Sequence, residues 1–152
     1  MSTMTTTRAA ELHACRVRLA RGAAAAAEAR RQVRAAICAW NAPVDGDLAV
    51  LLTSELVTNA IKHTRGKTIT LSLRATRGQL RVEVHDTSAS LPVPADAPAD
   101  AEAGRGLMLV AALAAEWGLY RTPAGKAVYF TLAFQPDPRS GVRCGAKDGR
   151  VS

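Results

Sequence analysis

Aromatic side chains are scarce in this chain: two Phe, two Tyr and two Trp among 152 residues. That leaves few platforms on which single-stranded nucleic acid could stack. No apolar run approaches the roughly 18–20 residues of a membrane-spanning helix. The N-terminus, MSTMTTTRAAELHACRVRLARG, lacks a compact apolar stretch followed by a small-residue cleavage site, so it does not read as a secretory signal. Cysteine is also sparse. Cys15, Cys38 and Cys144 are far apart, odd in number and without metal-ligand spacing, which fits a reducing cytoplasm better than a disulfide framework.

What the chain does have is positive charge, +7 overall. It sits at the ends. Residues 1–34 hold seven arginines (Arg8, Arg16, Arg18, Arg21, Arg30, Arg31, Arg34) against Glu11 and Glu28. The tail 135–152 holds Arg139, Arg143, Lys147 and Arg150 against Asp137 and Asp148. The middle is balanced. A solvated basic helix face and a basic tail are expected, with no nucleic-acid surface and no membrane contact.

Hydrophobic periodicity divides the chain. Residues 1–12 read as a loose N-terminus, 13–134 as one domain and 135–152 as a disordered basic tail. HACRVRLA (13–20) alternates as a strand, and the Ala-rich stretch 23–40 predicts a helix with Val33, Ala36, Ile37 and Trp40 on its apolar stripe. Asp45 is a good N-cap for a second helix running to about His63. Strands follow at 67–76 and 79–86, joined at Arg77-Gly78. Residues 88–103 lack periodicity and carry three prolines. A third helix opens after Gly104-Arg105-Gly106, and strands at about 117–121 and 126–134 close the pattern. Three helices segregated over a mixed, largely antiparallel sheet make an α+β fold, a two-layer α/β sandwich.

Three local patterns carry chemistry. In SELVTNAIKH (54–63), Glu55 and Asn59 are four residues apart on one helical face, and Lys62 and His63 continue it. The helix is apolar nearly all round and should be buried, where a carboxylate and an amide need partners or a purpose. The spacing alone fits a solvated Glu at an ordinary helix end equally well. Asp86 ends the strand RVEVHD, where a carboxylate can face a ligand or simply begin a turn. Gly104-x-Gly106 before an apolar helix lets backbone N–H groups approach phosphate, though most such pairs are caps or turns.

In this order and at these intervals, the three patterns resemble the GHKL (Bergerat-fold) ATPases. ELVTNAIKH is similar to their N-box, VEVHD to the start of the G1 box and GRGLMLVAAL to the G2 box, with 88–103 in the place of the ATP lid. ELVTNA with GRGL-x-LV resembles the bacterial anti-sigma-factor serine/threonine kinases. The resemblance covers roughly residues 14–134. It implies ATP and Mg²⁺ as cofactors, with Asn59 holding the metal and Glu55 activating a protein hydroxyl. Asp86 would read the adenine amino group, Gly104, Arg105, Gly106 and Leu107 would hinge the lid beside the phosphates, and Lys62 and His63 would lie at the phosphate rim. It further implies a sigma factor or an anti-sigma antagonist protein as partner, and leaves room for a homodimer. The flanks are too short for the sensor of a histidine kinase or the transducer domains of gyrase-like ATPases. One departure stands out: the G1 box normally has glycine two residues after its Asp, and Ser88 occupies that position. A partner-binding module with weak or no ATP binding is the rival expectation.

Overall fold

The computed structural model of the chain describes residues 11–63, 68–87 and 101–135, with 101–105 as backbone only. Its elements are β1 (His13–Ala20), α1 (Ala25–Trp40), α2 (Gly46–His63), β2 (Thr68–Ala75), β3 (Gln79–Asp86), α3 (Ala101–Leu113), β4 (Glu116–Thr122) and β5 (Gly125–Ala133). The five strands form one sheet in the order β1-β2-β3-β5-β4. Every pairing is antiparallel, so the mixed sheet expected from sequence is corrected to a fully antiparallel one among the described residues. The three helices over this sheet make the two-layer α+β sandwich.

The period of two along each strand decides which face is buried. The register puts Val17, Leu71, Val84 and Val128 in one row, and Cys15, Leu73, Val82 and Phe130 in the next. These rows face the helices and supply most of the core, with Val33, Ile37, Leu52, Leu56, Val57, Leu107 and Val110 opposite. The alternate residues form the outer face, which is polar.

Local signals explain the boundaries. Asp45 Oδ1 accepts from the backbone N–H groups of Asp47 and Leu48 at 3.0 and 3.1 Å, an N-cap for α2. At the other end, Arg21 donates to the carbonyl of Ile61 from Nε and Nη2, at 3.3 and 3.1 Å. A cation there satisfies a terminal carbonyl and complements the helix dipole. Asn41 adopts the left-handed conformation at the end of α1 (φ 52°), and its N–H bonds back to Cys38 and Ile37 carbonyls. The α1 arginines are anchored: Arg30 donates to Ser54 Oγ at 3.1 Å, Arg34 meets Asp47 at 3.0 Å, and Arg31 pairs with Glu28. A merely solvated basic face is therefore corrected in part to a seam between α1 and α2.

Three boundaries differ from expectation. The third helix begins at Ala101, so Gly104 and Gly106 lie within it rather than before it. It ends at Leu113, and Trp117 belongs to β4. Residues 11 and 12 are not loose, since Leu12 N–H bonds to the Ala75 carbonyl at 2.8 Å; likewise Gln135 N–H reaches the Pro43 carbonyl at 2.8 Å. The expectations for residues 1–10, for most of the 88–103 lid including Ser88, and for the tail from 136 fall outside the described residues. Cys15 is a free thiol.

Gly125 starts β5 hard against the end of β3. A Cβ there would lie 2.1 Å from the Asp86 carbonyl oxygen and 2.5 Å from Thr87 Cα, whereas one at Gly78 would meet nothing within 4 Å. Gly125→Ala should therefore destabilise the fold by about 1–3 kcal/mol or more through backbone displacement. Gly78→Ala should change stability by less than about 1 kcal/mol. Urea unfolding of the two variants side by side checks this contrast.

Candidate functional site

Helix α2 packs against α1, α3 and the central strands β3 and β5. Its surroundings leave Leu52, Thr53, Leu56, Val57, Asn59 and Ala60 buried, while Leu51 is exposed. Asn59 is 4% exposed. Neither its Oδ1 nor its Nδ2 has a hydrogen-bond partner. A buried amide normally satisfies both groups, and each one left unpaired costs on the order of 1–3 kcal/mol. Thr53 Oγ1, on the same helix, is also buried without a partner.

One turn earlier on the same face, half-buried Glu55 reaches toward α3. A Cβ built on Gly106 would lie 2.6 Å from Glu55 Oε1. Glycine at 106 is thus what lets the third helix approach the Glu55 carboxylate. Lys62 is exposed and His63 half-buried at the end of α2. The structure brings Glu55 and Gly106 together where α2 meets α3, with Asn59 one turn further along α2. Leu107, expected at the ligand, is a fully buried core residue. Gly104 and Arg105 are described as helical backbone only.

Asp86 lies on the helix-facing side of β3, 4% exposed. Both its carboxylate oxygens bond to Lys126 Nζ, at 3.0 and 2.9 Å, and the lysine is completely buried. Sequence reasoning missed Lys126. The signal was available: in KAVYFTLAF, Lys126 shares the alternation of Val128, Phe130 and Leu132, and so points inward.

A second missed cluster occupies the outer face. Glu83, 1% exposed, takes Arg81 Nε at 2.5 Å and Arg74 Nη2 at 3.3 Å on Oε2. Its Oε1 takes Tyr120 OH at 2.7 Å and lies 2.9 Å from His85 Nε2. Arg81 also stacks on the Tyr129 ring, 3.7 Å from its centroid, and Gly118 leaves room for that ring. Burial by itself would push the Glu83 carboxyl up. The hydrogen bonds from His85, Tyr120 and Arg81 and the Arg81 charge override it, bringing the carboxyl down to about 2. An open cavity of about 450 Å³ lies beside this network, lined by Glu11, Ala14, Cys15, Arg16, Ser72 and Arg74. None of the residues expected at the site touches it. Among the described residues no group of His, Cys, Asp and Glu forms an all-protein metal cage.

The α2 face thus has an unsatisfied amide and a carboxylate, with Asp86 on an adjoining strand. The model of the histidine kinase-like ATPase domain matches residues 10–132. The chain belongs to this family. No curated protein matches it. For a histidine kinase-like ATPase domain, the natural tests of fit are an oxygen donor for Mg²⁺ and close backbone approach beside phosphate. The orphaned Asn59 amide meets the first, whereas Gly106 lies inside α3 and faces the Glu55 carboxylate. No helix among the described residues is long and apolar enough to cross a membrane.

The depressed Glu83 carboxyl makes acid stability testable. Its folded-state value is lowered, so its contribution is present above the unfolded value near 4.3 and is lost as pH falls toward 2. Glu83→Gln should cost about 3 kcal/mol at pH 7. In urea unfolding from pH 7 to pH 2.5, the wild type should lose that advantage between about pH 5 and 2. A gap that stays constant with pH would show that the charge of Glu83 is not what the network stabilises.

Proposed function

We propose that this chain is an ATP-binding regulatory protein, a serine/threonine kinase acting as an anti-sigma factor in a partner-switching system. The observation that carries the reading is the Asn59 amide, buried and unpartnered one helical turn from the Glu55 carboxylate. A free amide carbonyl oxygen one helical turn from a carboxylate suits Mg²⁺ with bound phosphates. Asn59 Oδ1 would hold the metal, which supplies charge neutralisation on the phosphate oxygens when bound. Lys62 and Arg105 would add positive charge at the rim, with His63 beside them, and Gly104 and Gly106 would line it from α3.

Phosphoryl transfer asks mainly for positioning and charge stabilisation. Glu55 orients the hydroxyl of a serine or threonine on the partner and takes up its proton at a carboxylate oxygen. The hydroxyl oxygen bonds to the terminal phosphorus, the bond from that phosphorus to the bridging oxygen breaks, and ADP leaves. The phosphorylated partner is an anti-sigma antagonist protein, and the unphosphorylated antagonist competes with a sigma factor for this chain. A cytoplasmic location and a homodimer fit such a cycle.

Two observations favour a second reading, a partner-binding module with weak nucleotide affinity. The Asp86 carboxylate is already engaged by Lys126, and Asp86-Thr87-Ser88 lacks the expected glycine.

Transfer of labelled γ-phosphate to an antagonist protein encoded nearby, run beside thermal unfolding, separates the two. Glu55→Gln should keep ATP affinity and melting temperature while phosphorylation falls by about 10²–10⁴. Tight partner binding without transfer to any antagonist would leave the binding module standing. Asn59→Ala should abolish the Mg²⁺ dependence of ATP binding without destabilising the fold, because no hydrogen bond is lost.

A further inference from the structure

The helix-facing side of β3 and β5 is apolar for three rows, Leu80 with Leu132, Val82 with Phe130 and Val84 with Val128. It then ends on a charged row, Asp86 opposite Lys126, with Arg121 of β4 next along. Gly125 forces this pairing, because β5 can come so close to Asp86 and Thr87 only without a Cβ. Lys126 is fully buried, and both hydrogen bonds it makes go to the Asp86 carboxylate. An ammonium has three N–H donors, so one is left over in the interior. A buried ion pair is a poor stabilising device, since apolar residues of similar volume often do as well or better. A spare donor makes it poorer still. The arrangement makes sense as half of a recognition element.

We propose that Lys126 is a specificity-determining residue that reads the nucleotide base together with Asp86. This rests on the nucleotide reading above, in which Asp86 accepts from the adenine 6-amino group. The third N–H of Lys126 donates to adenine N1, the acceptor adjacent to that amino group. A carboxylate offers only acceptors and an ammonium only donors, so side by side they match a base edge presenting a donor next to an acceptor. Guanine in the same pose reverses both: O6 meets the carboxylate and N1–H meets the ammonium. The pair therefore selects adenine twice, where an aspartate alone would select it once.

The test compares ATP, 1-deaza-ATP (a C–H in place of N1) and GTP by calorimetric titration with Mg²⁺ on the wild-type protein and on Lys126→Met. Wild type should bind ATP about ten- to a hundredfold more tightly than 1-deaza-ATP, the range expected for one hydrogen bond to a charged group. Lys126→Met should bind the two alike and discriminate less against GTP. Should that variant unfold for want of a counter-ion to Asp86, the wild-type comparison alone decides. Equal wild-type affinity for ATP and 1-deaza-ATP overturns the role of Lys126 and leaves the nucleotide site intact. Failure to bind any of the three overturns both.

Discussion

Helix α2 has to be buried. It is apolar on most sides, and α1, α3 and the two central strands all pack on it. That placement decides how the rest of the molecule is arranged. Arg21 of the β1–α1 connection caps its last turn, Arg30 and Arg34 of α1 tie down Ser54 and Asp47, and α3 approaches through Gly106. It also turns two ordinary polar residues into expensive ones. Asn59 cannot reach water and has no protein partner, so the fold carries a cost there that packing alone does not explain.

The two faces of the sheet handle charge differently. On the outer face, Glu83 is surrounded by donors from three strands, Arg74, Arg81, His85 and Tyr120, and is held as a carboxylate far into the acid range. Each of its oxygens has more than one neighbour, which makes the cluster structural in character. On the helix-facing side the polar groups are few and incompletely matched: an amide with none of its bonds made and a lysine with two of its three donors used. Among the described residues the unpaired buried atoms are those of Thr53 and Asn59 on α2, together with His85 Nε2 and Thr131 Oγ1 on the sheet.

Most of the architecture was legible in the residues. Alternation in HACRVRLA and RVEVHD, the Asp45 cap and the Arg77-Gly78 turn all report short-range physics, and each element they predict is present. The third helix was misplaced because Gly104-Arg105-Gly106 looks like a loop on propensity, glycine being about 1 kcal/mol worse than alanine inside a helix. Inside the helix, Gly106 leaves room that the tip of Glu55 occupies, 2.6 Å from where a Cβ would stand. The spacing of Glu55 and Asn59 shows that they share a helical face but not their differing circumstances, since whether an amide has a partner depends on residues distant in sequence. Lys126 and Glu83 escaped for a related reason. A single charged residue in a strand reads as solvent-facing until the register shows which side it is on.

The central claim is that the unsatisfied amide of Asn59 is a receptor for metal-bound nucleotide. The most direct measurement is the ¹H–¹⁵N correlation spectrum of the labelled protein, followed through the Asn59 side-chain NH₂ signals during titration with Mg·ATP. The account predicts saturable shifts of those signals and of the Gly106 backbone amide, with the Arg81 Nε–H signal on the outer face unmoved. An Asn59 side chain that stays unchanged while ATP binds, or shifts confined to the outer face, would contradict it.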